Sequence, residues 1–148
     1  MPRRGARSID LYAHRFQDSR TCGVQVKARS RGDLTLSDGL LTFADPAADS
    51  WVVLVTLADA GSRSRFSVVP RNHITLAMRA FQGLMDNEGK PWTRKMLGPQ
   101  EFASYDEAWD LMERPASEAP YGLPGWVVDL LRAHDQTDAL AIVPAAIV

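Results

Sequence analysis

We predict that the chain folds as one α/β (α+β) domain, in which helices flank a mixed sheet of four to five strands. Three observations lead to this class. The 148 residues are 45% hydrophobic, enough to form a core without disulfide bonds. Short runs that alternate apolar and polar residues occupy the first part of the chain, and a continuous Val-rich run follows them. Helical spacing of apolar residues begins after residue 70.

The first two predicted strands, residues 8–13 and 22–29, form a hairpin. Polar residues 17–20 provide a tight turn between them. Because side chains in a strand alternate between faces, the second strand has an apolar row and a polar row. The apolar row is Cys22, Val24, Val26 and Ala28, and the polar row is Gly23, Gln25, Lys27 and Arg29.

Two further strands complete the predicted sheet. Residues 51–57 are a continuous apolar run, which is typical of a central strand covered on both faces. A turn at 59–62 leads to residues 65–69, which are predicted to pair antiparallel with it and to end at Pro70.

The first predicted helix covers residues 74–81. Asn72 is its predicted N-cap, and Gly83 is predicted to end it. Residues 86–100 contain several Gly and Pro residues and are predicted to form an irregular loop.

Two more helices are predicted in the last third of the chain. Ser104 and Glu107 have capping-box spacing, which predicts a helix over 105–113. Residues 126–133 have the spacing of a short amphipathic helix. Residues 139–148 are almost wholly apolar and contain Pro144, which favours a buried strand, a docked tail or a dimer contact over a long helix.

Asp10, Gln25 and Lys27 are the candidate site residues. A two-residue loop at 18–19 would place Asp10 opposite Lys27, and a register slipped by two residues would place it opposite Gln25. Both registers put the three side chains on one face of the hairpin, whereas a one-residue slip would separate them. The plain structural alternative is that these residues are the solvated face of an amphipathic hairpin.

The residue types suit phosphodiester hydrolysis. The Asp10 carboxylate is a hard oxygen ligand for Mg²⁺ or Mn²⁺, and the Gln25 carbonyl can add a neutral oxygen. A bound ion holds phosphate and activates water, while Lys27 can stabilise the negative charge of the transition state or orient the water.

Asp10, the hairpin and Gln25-Val26-Lys27 resemble the second and third motifs of the PD-(D/E)xK, or restriction-endonuclease-like, nuclease superfamily. The later segments 34–37, 51–55, 66–70 and 105–111 resemble one bacterial group of that superfamily. We predict a single nuclease-like domain over residues 1–148. The resemblance covers its core at residues 4–113, and a C-terminal helix and apolar tail at 124–148 follow the core.

The resemblance implies a restriction-endonuclease-like sheet and a Mg²⁺- or Mn²⁺-dependent nuclease acting on DNA in preference to RNA. Asp10 would bind the metal, Gln25 would assist, and Lys27 would act on the transition state. Two departures favour an alternative. The usual first helix, often a source of a metal-binding glutamate, is expected to be missing, and Gln25 stands where an acid is commonest. The alternative is an inactive nuclease-like domain that binds nucleic acid or protein.

Basic residues concentrate near the candidate site. Residues 1–31 contain eight Lys or Arg against two acids, although the net charge of the chain is −1. We predict that Arg4, Arg7, Arg29 and Arg31 contact nucleic-acid phosphates, and a solvated basic tail is the equal alternative. A homodimer through the apolar C-terminus is a further option.

The single cysteine, Cys22, lies on the apolar row and is predicted to be a buried thiol rather than a nucleophile. There is no signal-peptide pattern at the N-terminus and no apolar run of membrane-spanning length. We therefore expect a cytoplasmic protein without membrane contact.

Overall fold

The computed structural model of the protein describes residues 10–30, 34–90 and 95–143. These residues form two sheets and three α-helices, joined by several 3₁₀ turns. In chain order the elements are β1 (Leu11–His14), β2 (Thr21–Arg29), β3 (Leu34–Leu36), β4 (Ser50–Thr56), β5 (Arg65–Pro70), α1 (Arg71–Asn87), β6 (Lys95–Leu97), α2 (Gly125–Ala133) and α3 (Thr137–Leu140).

The main sheet is mixed and open, with strand order β1-β2-β4-β5. Strands β2 and β4 are parallel, and the other two pairs are antiparallel. The predicted α+β class with a four-stranded mixed sheet is therefore confirmed. As predicted, β4 is central, and residues 51–55 are buried.

The alternating side chains of β4 divide the interior into two hydrophobic clusters. Val52 and Leu54 belong to the larger cluster, with residues of α1 and α2. Trp51, Val53 and Val55 face the smaller cluster, which the irregular segment 109–119 covers. Cys22 lies in the smaller cluster as a free, buried thiol, and burial is the main cause that raises its pKa.

Helix α1 is longer than predicted. It begins at Arg71 because Pro70, not Asn72, occupies the N-cap position, and the Asn72 side chain instead bonds the backbone N–H and C=O of Ala44 at 2.8 and 3.1 Å. Gly83 lies within α1 and does not end it. A Cβ atom there would come within 2.9 Å of the His134 side chain, so this glycine permits close packing.

The predicted helix over 105–113 is wrong. Two 3₁₀ turns, Pro99–Tyr105 and Trp109–Glu113, replace it. Between them Asp106 is extended and Glu107 has a left-handed φ of 51°. The Glu107 N–H donates to Phe66 O at 2.7 Å, and Asp106 forms a bridge with Ser67. Pairing with the open edge of β5 therefore prevails over the local capping signal.

The second sheet is absent from the sequence prediction. Strand β6 lies in the predicted irregular loop and pairs antiparallel with β3. Each strand has three residues, too few for a visible alternation. The pair nevertheless adds buried Leu36 and Leu97 to the larger cluster.

The C-terminal part packs on the larger cluster. Helix α2 confirms the prediction for 126–133, and Ala139 and Val143 are buried beyond it. Of the three options for the apolar segment, the docked tail holds for residues 139–143, and 144–148 lie outside the described residues. No helix in the described ranges is long and apolar enough to cross a membrane.

Asp49 connects the start of β4 to the beginning of β2 and to the segment at Ala116. Its backbone is left-handed, with φ of 46°, and its C=O accepts from Gly23 N–H at 3.0 Å. Its buried Oδ1 accepts from Trp51 Nε1 at 3.0 Å and from Ala116 N–H at 2.9 Å. Arg20 Nε lies 3.0 Å from Oδ2, a distance that fits an ion pair although its angle falls outside hydrogen-bond geometry.

We predict that Asp49→Ala lowers the free energy of unfolding by about 3 kcal/mol, because it strands two buried donors and places alanine in a left-handed backbone. Asp49→Asn keeps an acceptor oxygen and tolerates that backbone, so its loss should be about 1 kcal/mol. Urea denaturation measures both values against Asp59→Ala, which changes an exposed turn residue. Equal losses in the two alanine variants would contradict the role of Asp49.

His73 and Tyr105 join α1 to the segment that precedes α2. Tyr105 OH accepts from Gly122 N–H at 2.8 Å and lies 2.6 Å from His73 Nδ1. The buried hydroxyl has one proton, and His73 Nδ1 is its only acceptor among the described hydrogen bonds. We therefore assign O–H donation to Nδ1, which places the imidazole proton on Nε2. Burial lowers the His73 pKa to about 4, so the ring is neutral at pH 7.

Acid should weaken the fold through His73. Since its pKa falls from 6.5 in the unfolded chain to about 4 in the folded protein, the neutral ring contributes stability above pH 6.5 that is lost as pH falls towards 4. Between pH 7.5 and pH 5 we expect a loss of about 2 kcal/mol from this residue. Urea denaturation at both pH values should show a smaller difference for His73→Gln. An identical difference in wild type and variant would refute this assignment.

Candidate functional site

The hairpin of β1 and β2 has one of the two predicted registers. Leu11 pairs with Val24, which corresponds to Asp10 opposite Gln25 rather than Lys27. The alternative with a two-residue loop at 18–19 is not formed, because Arg15 N–H donates to Arg20 O at 2.8 Å and residues 16–19 make the turn. Ser19 has a left-handed φ of 57° in this turn.

Asp10 lies at a bend one residue before β1 and ends the ladder of the hairpin. Its N–H donates to Val24 O at 2.9 Å, and its Oδ2 accepts from Val26 N–H at 2.7 Å. The carboxylate thus serves as an acceptor for β2 where the ladder with β1 has ended. Because Val26 lies between Gln25 and Lys27, this hydrogen bond holds the carboxylate beside the backbone of the Gln-Val-Lys motif.

Gln25 and Lys27 share one face of the main sheet. Gln25 pairs with Val52 and Lys27 with Leu54, so both side chains lie on the side of the larger cluster. Gln25 is 7% exposed, and its buried Oε1 has no hydrogen-bond partner among the described residues. Lys27 is half-buried.

The alternative of a solvated polar row is therefore wrong at Gln25. In contrast, Val26 on the apolar row is 37% exposed. The physical reason is that the smaller cluster covers the apolar row at Cys22 and Val24 but does not include Val26. The other face of β2 points to the side of the sheet that the larger cluster occupies.

Of the four arginines predicted to contact phosphates, the structure describes Arg29. Arg29 is half-buried, and its Nε is buried without a hydrogen-bond partner in the described part of the chain. Arg4, Arg7 and Arg31 lie outside the described residues. Arg20 and Arg15, which flank the hairpin, donate to the main-chain oxygens of segment 109–113 and so hold the turn in place.

Asp10 and Gln25 carry oxygen atoms of the type that a divalent cation binds. Asp10 supplies a carboxylate, and Gln25 Oε1 is a buried acceptor without a donor. Mg²⁺ commonly takes one or two protein carboxylates and completes its shell with water and phosphate. Within residues 10–30, 34–90 and 95–143, no three His, Cys, Asp or Glu side chains are grouped to hold a metal ion.

Another polar group was missed by the sequence analysis. Arg71, Asn72 and His73 follow Pro70 at the amino end of α1 and line a cavity. The available signal was three consecutive polar residues directly before a helical apolar pattern. For Asn72, the sequence pattern predicts only a capping role.

Asp10→Ala should remove the acceptor of Val26 N–H and lower the free energy of unfolding by about 1 kcal/mol. Asp10→Asn keeps a side-chain oxygen and should lose less. Amide hydrogen exchange at Val26 measures the local effect, and urea denaturation measures the global one. Asp59→Ala is the control for charge removal. Unchanged exchange at Val26 in Asp10→Ala would show that the hydrogen bond contributes nothing.

The likeness to restriction-endonuclease-like nucleases rests on the motif residues and stays a prediction. No protein-family model matches this chain, and no match was found among curated proteins or solved structures.

Proposed function

We propose that the chain is a divalent-metal-dependent nuclease that hydrolyses DNA phosphodiester bonds at Asp10, Gln25 and Lys27. One observation carries the proposal: Val26 N–H holds the Asp10 carboxylate at 2.7 Å. This contact spans sixteen positions and joins the separate parts of the motif. An acid and a lysine are thereby attached to the same short stretch of β2.

Each residue has a distinct part in the proposed reaction. Asp10 and Gln25 would hold Mg²⁺ or Mn²⁺ through oxygen atoms, and the ion, when bound, supplies positive charge at the phosphate and lowers the pKa of water. Lys27 places an ammonium group on the face that contains Gln25, where it can stabilise charge that develops on the phosphate oxygens. Arg29 lies two positions further along the same face and can contact a neighbouring phosphate.

DNA is the proposed substrate in preference to RNA, in keeping with the resemblance described above. The free, buried thiol of Cys22 is compatible with a reducing cytoplasm, which we include in the proposal. The homodimer through the apolar C-terminus stays a prediction.

A second candidate is a nuclease-like domain that binds nucleic acid without cleaving it. Two observations favour it. The described residues contain no group of three acidic or other metal-ligating side chains, and Asp10 Oδ2 is already engaged by a backbone amide. Hard cations favour several anionic oxygens, so a site with one carboxylate should bind Mg²⁺ weakly. Lys27 and Arg29 would still serve a binding function.

Cleavage assays separate the two candidates. Supercoiled plasmid and hairpin DNA are incubated with purified protein and either Mg²⁺, Mn²⁺ or EDTA. For the nuclease we expect metal-dependent nicking that Asp10→Asn and Lys27→Ala each reduce by about 100-fold or more.

Two matched variants control for charge. Asp59→Asn alters an exposed acid, and Lys90→Ala alters a lysine whose ion-pair partner is Glu88, so both should cleave as wild type does. Without cleavage, DNA binding that Lys27→Ala weakens would identify the binding module. If the protein neither cleaves DNA nor binds it in a way that depends on Lys27, both candidates are ruled out.

A further inference from the structure

A cavity of about 310 Å³ lies at the amino end of α1, between the ends of β4 and β5 and the C-terminal segment. Such a volume is at the lower end of the range for small-molecule sites. Its polar walls include Arg71, Asn72 and His73, and the apolar walls include Pro46, Pro70 and Ile142.

Arg71 is a cation without an acidic partner among the described residues. Its Nη2 donates to Gly39 O at 3.0 Å, and its Nε is buried without a hydrogen-bond partner in those residues. Burial lowers the Arg71 pKa, and no carboxylate contributes to the shift. Buried charges are usually paired, so a partly buried guanidinium without a partner in residues 10–30, 34–90 and 95–143 points to an anion that those residues do not supply.

His73 adds a neutral donor to the same walls. Its side chain is 7% exposed, and Nδ1 is taken by Tyr105 OH. The Nε2–H assigned above has no hydrogen-bond acceptor in the described ranges. Because burial keeps the ring uncharged at pH 7, His73 can offer a ligand a directional N–H hydrogen bond without adding a second positive charge.

The end of α1 favours negative charge as well. This helix has 17 residues, and no side chain caps its first turn. Its free N–H groups and dipole therefore face the region of Pro70 to His73. The acid on the cavity wall, Asp45, is engaged in its own turn, where Oδ1 accepts from Ala47 N–H at 2.9 Å.

We propose that this cavity binds a small organic anion, either a carboxylate or a phosphate monoester, that carries an apolar group. The anionic end contacts Arg71, His73 Nε2–H and the first turn of α1. The apolar end lies against the Pro and Ile side chains of the opposite walls. Volume and lining exclude an extended polyanion, for which a continuous basic surface is needed.

Benzoate and phenyl phosphate are suitable probes, with benzamide as the uncharged counterpart of benzoate. In titrations of ¹⁵N-labelled protein we expect saturable shifts of the amides of residues 71–73 and of His73 Nε2, with Kd values of about 1 mM. The tighter of the two anions identifies the head group. Benzamide should bind at least tenfold more weakly, because it lacks the charge that Arg71 recognises.

Arg71→Gln should weaken both anions by tenfold or more, and its melting temperature should not fall, because the variant removes a desolvated charge. Arg63→Gln changes an arginine whose side chain is 83% exposed and should bind as wild type does. His73→Phe should also weaken the binding of both anions, because it removes the Nε2–H donor. Asp10→Asn should leave the titration unchanged, so failure of the nuclease proposal does not affect this one.

Three results would overturn the proposal. They are equal binding of benzamide and benzoate, equal losses in Arg71→Gln and Arg63→Gln, and saturation by inorganic phosphate with no gain from the phenyl group.

Discussion

The arrangement of the main sheet depends on the hydrogen bonds and the ion pair that Asp49 makes. Asp49 precedes the central strand, and its contacts reach β2, the Trp51 indole, the segment at Ala116 and the Arg20 guanidinium. A buried carboxylate is costly unless its oxygens are bonded. The Asp49 carboxylate binds the Trp51 indole and attaches the irregular segment that covers the smaller cluster, while its backbone C=O accepts from Gly23 N–H and so joins β2 to the start of β4. The left-handed backbone at Asp49 turns the chain into β4, so the strain and the hydrogen bonds occur in one residue.

The four strands of the main sheet could be predicted because each has a clear local pattern. Val-rich residues 51–55 indicate a strand buried on both faces, and helix α2 has the spacing of one buried stripe. The prediction of a helix over 105–113 was wrong because a tertiary contact prevails there. Ser104 and Glu107 have the spacing of a capping box, but Asp106 and Glu107 pair with the edge of β5, a contact about forty residues away that no local pattern encodes. Strands β3 and β6 are too short to be recognised.

For the candidate site, the sequence predicted which residues share a face of the hairpin, but it left two registers open and did not predict the environment of the side chains. Strand parity correctly placed Gln25 and Lys27 on one face. It could not show that this face lies towards the larger cluster, since alternation separates two faces without indicating which is buried. Nor could it show that Asp10 would bond the backbone of Val26. The cavity at α1 was still harder to predict. Burial lowers the Arg71 pKa and Tyr105 OH engages His73 Nδ1, and both effects depend on tertiary contacts.

The bridge between Ser67 and Asp106 also governs how the sheet meets other molecules. An unpaired strand edge is a template for addition of a foreign strand, and proteins commonly protect such edges. Residues 106–107 occupy the outer edge of β5, with an ion pair between Arg65 and Asp106 beside them. In the described part of the chain this leaves β1, a strand of four exposed residues, as the open border of the main sheet. For the main sheet, addition of a foreign strand is thereby favoured at β1 over the covered part of β5.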